Sequence, residues 1–196
     1  STCGGGQLLI DIGMKASKSS SGGPAKAAVI ASGLMGMISG SAVANVATTG
    51  VMTIPMMKKV GYEPHQAGAI EAVASTGGQI MPPIMGVGAF IMAEMLGVPY
   101  RTIALSAIIP ALAYYLSVFF LVTFLAKKKD IVASGADAQI VVKDTILPRL
   151  YLLIPAIVLV YFMVTGASLM RSGMMGIITA LVINIASKFI SGGKNF

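Results

Sequence analysis

Ile38-Ser-Gly-Ser-Ala-Val-Ala-Asn-Val-Ala-Thr-Thr-Gly50 and Ala74-Ser-Thr-Gly-Gly-Gln-Ile-Met-Pro-Pro-Ile-Met-Gly86 each interrupt an apolar stretch with glycine, proline and small polar side chains. In water this is ordinary loop composition. In a bilayer, backbone released from a helix must find new hydrogen-bond partners. Such breaks survive there only inside protein or beside a polar cavity. Their meaning depends on whether the surrounding chain is built for lipid.

It is. The chain is 56% hydrophobic and 11% charged, with mean hydropathy +0.85, against roughly 25% charged residues in soluble domains. Residues 101–126 carry no charge after Arg101, a length that spans the ~30 Å hydrocarbon core. Residues 150–166 and 172–187 are further uncharged segments, adequate with their flanks. The expectation is an all-α integral membrane protein. The formal charge of +7 does not signal nucleic acid, because the basic residues sit at segment ends and form no face interleaved with aromatics. A single cysteine, Cys3, excludes an internal disulfide and a cysteine-based metal site. Tryptophan is absent, so interfacial anchoring falls to Tyr62, Tyr100 and Tyr151. No nucleophile, base and orienting group occur at a recognisable spacing, and there is no phosphate-binding glycine loop, so no enzyme is expected. The chain starts at Ser1 and stops at Phe196 just past an apolar segment, which reads as an internal piece of a longer protein.

The segments order as follows. Residues 1–24 form a linking, amphipathic stretch on the cytoplasmic side. Residues 25–57 hold two apolar arms, about 27–38 and 46–57, around a polar centre; twelve residues make roughly 18 Å of helix, too short to cross. A re-entrant hairpin fits better. Pro64 suits a first helical turn and opens a broken element over 64–96, because Gly77, Gly78, Pro82 and Pro83 cannot continue a regular helix. Two half-helices joined by extended backbone are expected. Gly97-Val-Pro99 turns into the span over 101–126; 127–148 is a cytoplasmic loop, and helices over 149–166 and 172–190 follow. Charge tests this layout. With Lys127-Lys-Lys129 inside and 25–57 a hairpin, every basic residue but Arg101 and Arg171 is cytoplasmic. A full crossing over 25–57 would put Lys15, Lys18 and Lys26 outside.

Paired broken helices mark the substrate and ion sites of transporters. Ser39, Ser41, Asn45, Thr48 and Thr49 bring hydroxyl and amide groups to the first break, and Ser75, Thr76 and Gln79 to the second. Neither offers a negative charge or a His/Cys pair, which disfavours zinc and iron. Carbonyls and hydroxyls suit a hard monovalent cation such as Na⁺, and half-helix N-termini suit an anionic group. Ser41, Asn45, Thr48, Thr49 and Gln79 are the candidate substrate contacts. For Gly33, Gly36 and Gly40 close helix packing is the plainer reading. Glu94 lies near a segment end and reaches the interface. Glu71 lies about two turns inside: a coupling or proton-handling group, or a structural carboxylate facing a helix or a lysine. His65 is interfacial, and the runs Met35-Gly-Met37, Met52 to Met57 and Met174-Met175 read as adaptable packing.

Gly22-Gly-Pro-Ala-Lys26, Gly40-Ser-Ala-Val-Ala-Asn-Val-Ala-Thr-Thr-Gly50, Ile54-Pro-Met-Met-Lys-Lys-Val-Gly-Tyr62 and Glu71-Ala-Val-Ala-Ser-Thr-Gly-Gly-Gln-Ile-Met-Pro-Pro83 together resemble a known family. It is the large membrane subunit of tripartite ATP-independent periplasmic (TRAP) transporters, in the type fused to its small four-helix subunit. The resemblance runs over about residues 4–129; beyond 130 only the hydropathy layout agrees. It implies one half of an inverted-repeat, elevator-type transporter in the bacterial or archaeal cytoplasmic (inner) membrane, multi-pass. It implies Na⁺-driven import of an organic acid anion delivered by a periplasmic substrate-binding protein. It also implies a Na⁺ site between hairpin tip and broken helix, here Ser39, Gly40, Ser41, Asn45, Gly77, Gly78, Ile80 and Pro82, many through backbone carbonyls. Many relatives of the unfused type carry Asp where this chain has Asn45, and Ser-Thr-Ile-Gly-Pro where it has Ser75-Thr-Gly-Gly-Gln79. The second repeat, with its own ion site, would lie after Phe196. A stand-alone dicarboxylate or citrate carrier of similar hairpin architecture, and a channel or non-transporting scaffold, are the rival readings.

Overall fold

The computed structural model describes Ile12, Gly13, Lys15, residues 22–129, Ile131, and residues 154–166 and 169–190. The described residues are helical or turn and contain no strand. Two compact units divide the chain, residues 1–146 and 147–196. The expected segment 1–24, the loop 127–148 and the start of the segment over 149–166 fall largely outside the described residues.

In the first unit, α1 (Gly23–Ser39) and α2 (Ala42–Lys59) form a helical hairpin. α3 (Pro64–Gly77) and α4 (Val87–Leu96) flank the second break, and α5 (Tyr100–Lys128) runs 29 residues, about 44 Å at 1.5 Å per residue. It is long and apolar enough to cross a membrane. Proline opens α3 at its first turn, where a missing N–H is harmless. The Glu63 amide donates to Gln66 Oε1 (3.4 Å), and Lys129 pairs with the Glu63 carboxylate, tying the start of α3 to the end of α5. That pairing, a hydrogen bond and a charge together, holds the Glu63 carboxyl below the usual carboxylate range.

Small side chains build the core. Ala25, Ala28 and Val29 of α1 meet Met57 of α2, Ala67, Ile70 and Ala74 of α3, and Val118, Val122 and Ala126 of α5. Alanine and glycine let helix backbones approach closely, the packing mode that works without a hydrophobic drive between helices. Lys26 is buried with its Nζ 5.0 Å from the Phe119 ring centroid, a cation–π contact. The outer faces are the reverse of a soluble protein: Leu105, Ile109, Leu116, Phe120 and Phe124 on α5 and Met95 on α4 are exposed. Lipid is the solvent such a surface fits.

The second unit contains α6 (Ile154–Val164) and α7 (Leu169–Ile190), which pack together. A Cβ on Gly176 would stand 3.3 Å from Leu159 Cδ1, so the two helices approach closely there.

The two breaks differ in extent from the sequence expectation. The first is a turn of two residues, with helix resuming at Ala42 and not near Val46. The hydroxyls that look like loop chemistry bond back into the helix: Thr48 Oγ1 donates to the Ala44 carbonyl (2.7 Å), and Thr53 Oγ1 lies 3.0 Å from the Thr49 carbonyl. The second break, Gly78 to Gly86, is mostly turns, with extended backbone at Gly86. It begins as consecutive tight turns, with the amides of Gly78, Gln79, Ile80 and Met81 donating to the carbonyls three residues earlier.

Candidate functional site: the hairpin tip against the broken helix

At the tip Gly40 adopts φ +60° and its amide donates to the Gly36 carbonyl (2.9 Å), closing α1. Ser41 is extended, and its Oγ accepts from the Ala44 amide (3.3 Å), capping α2. Glycine is required at position 40 twice over: a Cβ there would also lie 2.1 Å from the Met85 carbonyl oxygen. Further along α1, a Cβ on Gly36 would lie 2.4 Å from Gly78 Cα. The Ile84 amide donates to the Met37 carbonyl (3.3 Å). The tip and the second break are therefore in backbone contact, and the two closest approaches run through glycine at Gly40 and Gly36.

α5 holds the break from outside. Tyr100 Oη lies 3.0 Å from the Pro83 carbonyl oxygen and 2.5 Å from that of Ile84, one phenolic hydrogen serving two acceptors. Tyr114 donates to the Val73 carbonyl (2.8 Å) and Tyr115 to that of Ala74 (2.9 Å). Because the Gly78 amide turns to Ser75 and Thr76, the Ala74 carbonyl loses its helical partner, and Tyr115 replaces it. Met85 takes φ +61°, the Pro82–Pro83 peptide is cis, and the Gly86 amide closes the loop onto the Gln79 carbonyl (2.7 Å).

The expected site residues separate into two groups. Ser39, Gly40 and Ser41 form the tip, and Gly77, Gly78, Ile80 and Pro82 lie at the end of α3 and in the break. Asn45 is fully buried one turn into α2. Its Nδ2 donates to the Ser32 carbonyl (2.7 Å), while its Oδ1 has no hydrogen-bond partner. A Cβ on Gly36 would meet Asn45 Nδ2 at 3.2 Å, so the amide lies beside the contact between α1 and the break. A buried acceptor without a donor is costly, and a carbonyl oxygen is what a hard cation takes as ligand. On that ground the residues present fit Na⁺. Thr48 and Gln79 are partly or fully exposed. Thr49 is not at the tip surface; it is buried and belongs to a second cluster.

That cluster centres on Glu71, which is fully buried. Its Oε1 lies 2.7 Å from Ser32 Oγ, 2.5 Å from Thr49 Oγ1 and 3.2 Å from Ser75 Oγ, and its Oε2 lies 2.5 Å from Thr53 Oγ1. Of the partners expected for Glu71, the structure supplies neighbouring helices and, among the described residues, no lysine. Ser32 and Thr53 were not singled out from sequence. A signal existed, since Asn45, Thr49 and Thr53 repeat every four residues and so line one face of α2.

Residues 1–195 match the family described as tripartite ATP-independent periplasmic transporter, DctM component. The chain belongs to this family. A protein of Haemophilus influenzae whose name assigns it as a TRAP transporter large permease is 33% identical over 102 residues, 52% of this chain and 24% of that protein. An uncharacterized protein of Sinorhizobium fredii is 28% identical over 124 residues, 63% of this chain and 29% of that protein. The matches thus span about a quarter of those relatives' length. No solved structure matches. As a member of the DctM family the chain belongs to a membrane protein of a transporter family.

Proposed function

We propose that this DctM-family chain forms one cation-binding half of a Na⁺-coupled importer of organic acid anions, its substrate delivered by a periplasmic binding protein. In this reading α1 and α2 form a re-entrant hairpin, and α3, the break and α4 form a discontinuous crossing helix. A small four-helix membrane subunit, fused to the large one, accompanies them in the cytoplasmic membrane.

The observation that carries it is the buried, unpaired Oδ1 of Asn45 beside the contact of Gly36 with Gly78. Na⁺ bound there would use Asn45 Oδ1 with carbonyls of the tip (Ser39, Gly40, Ser41) and of the break (Gly77, Gly78, Ile80, Pro82). Its charge would hold two separate segments in one arrangement. Ion binding and hairpin closure thereby become the same event, which is what coupling requires. The N-termini of α2 and α4 supply partial positive charge for a substrate carboxylate, with Ser41, Thr48 and Gln79 as polar contacts.

The test reconstitutes the full-length protein in liposomes with candidate binding proteins and follows labelled organic acids. Uptake should need both an inward Na⁺ gradient and the binding protein. Uptake that needs neither would overturn the reading.

A further inference from the structure

Glu71 is a buried carboxyl group whose hydrogen bonds all come from hydroxyls. A carboxylate removed from water is stable only when paired or otherwise neutralised, and inside a membrane such groups lie on ion or proton pathways. The charged and titratable side chains on the packed elements are engaged or placed elsewhere. On α1, Lys26 has its Nζ over Phe119. On α2, Lys58 and Lys59 are exposed at the C-terminal end. On α3, His65 is exposed beside Glu63, which pairs with Lys129. On α5, Tyr114 and Tyr115 donate to the carbonyls of Val73 and Ala74, while Arg101, Lys127 and Lys128 are exposed at the helix ends. Lys15, preceding α1, is exposed as well.

The cage geometry favours a proton over a metal ion. All four hydroxyl oxygens already stand 2.5 to 3.2 Å from the carboxyl oxygens, in hydrogen-bond contact with them. A metal ion would have to push them apart to gain its own shell of oxygens. A proton needs no added room.

The same heavy-atom positions serve both protonation states. Thr49 and Thr53 each have one hydroxyl hydrogen and, besides the Ser32 hydroxyl near Thr49, two acceptors within reach. For Thr49 these are Glu71 Oε1 (2.5 Å) and the Asn45 carbonyl (2.8 Å); for Thr53 they are Glu71 Oε2 (2.5 Å) and the Thr49 carbonyl (3.0 Å). With Glu71 ionised, all four hydroxyls donate to it. With Glu71 neutral, Thr49 and Thr53 turn to their helix carbonyls, and the new O–H on Oε2 donates to Thr53 Oγ1. Ser32 and Ser75 still donate to Oε1. Ser32 Oγ and Thr49 Oγ1 are 3.2 Å apart and either can donate, so the hydrogens can be reordered within the cage.

We infer that Glu71, caged by Ser32, Thr49, Thr53 and Ser75, is a proton-binding site distinct from the cation site at Asn45, and that pH acts on transport through it. The proton is taken from and returned to water, and no other reactant is involved. The cage draws on both hairpin arms and on α3. Hydrogen bonds to an ionised carboxylate are stronger than those to a neutral acid, so loading the proton loosens the hairpin's grip on α3.

The test is infrared difference spectroscopy of the purified full-length protein, titrated in pH. A carboxylic acid carbonyl band should vanish on raising pH and be missing from Glu71→Gln, and Glu71→Gln should lose the pH dependence of uptake. Identical titrating bands in wild type and Glu71→Gln would overturn the inference. If Glu71→Gln does not fold, Thr53→Val serves, since it leaves the carboxyl in place. Losing the hydroxyl partner of Oε2 should shift the frequency of that carbonyl band. A band unchanged in frequency overturns it.

Discussion

Gly36 and Gly78 touch backbone to backbone, and neither has space for a methyl group. A Cβ on either would lie 2.4 Å from the other's Cα, and backbone cannot swing aside as a flexible side chain can. Gly36→Ala should therefore separate α1 from the break and destabilise the unit by about 1–3 kcal/mol, the usual scale of overpacking. Gly88→Ala is the matched control, because nothing lies within 4 Å of its Cβ position. It should be neutral or slightly stabilising through helix propensity. Thermal melts of the two variants decide this; equal melting would mean that the Gly36 contact is not tight.

Tyrosines on α5 do for the break what the sequence alone did not reveal. The interruption was legible in Gly77, Gly78, Pro82 and Pro83, because glycine and proline clustered together disfavour helix, although Gly77 itself still closes α3 as its last helical residue. Its hydrogen-bond partners were not, since Tyr115 lies 41 residues from the Ala74 carbonyl it serves and no period links the two. The first break misled in the opposite direction: a run of Ser, Asn and Thr looks like loop until Ser41 caps α2 and the threonines bond back to the helix. Glu71 was visible as an oddity, but its hydroxyl partners come from three helices and only the packing names them. At this scale Tyr115→Phe should cost about 1–3 kcal/mol, the penalty for leaving a part-buried carbonyl unpaired, read as a lowered denaturation midpoint. The tie between α3 and α5 has a pH signature. Lys129 depresses the Glu63 carboxyl, so its stabilising effect is present above the unfolded carboxylate range and fades as pH falls through the lower folded value. Glu63→Gln should be less stable than wild type near neutral pH, with the gap closing on acidification. A gap independent of pH would refute the ion pair's role.

For the whole molecule, sodium should act as a structural ligand as well as a driving ion. A ligand that binds only the folded state stabilises it by RT ln(1 + [L]/Kd), about 2.7 kcal/mol at a hundredfold excess over Kd. Exchanging K⁺ for Na⁺ at constant ionic strength leaves screening unchanged, so any rise in the melting temperature of the full-length protein reports specific binding. The rise should grow with the logarithm of Na⁺ concentration. Asn45→Leu should abolish it, because that change removes the one buried oxygen in the chain's tip region that lacks a donor among the described residues. Glu71→Gln should keep it, though weakened, because Glu71 does not bond Asn45 directly and reaches it only through Ser32 and Thr49, each of which bonds both. The paired variants thus separate the cation site from the proton site in one assay. Equal melting in Na⁺ and K⁺ would remove the cation assignment and favour a scaffold or channel whose breaks face no ion. A sodium response that survives in Asn45→Leu would place the ion elsewhere in the full-length protein.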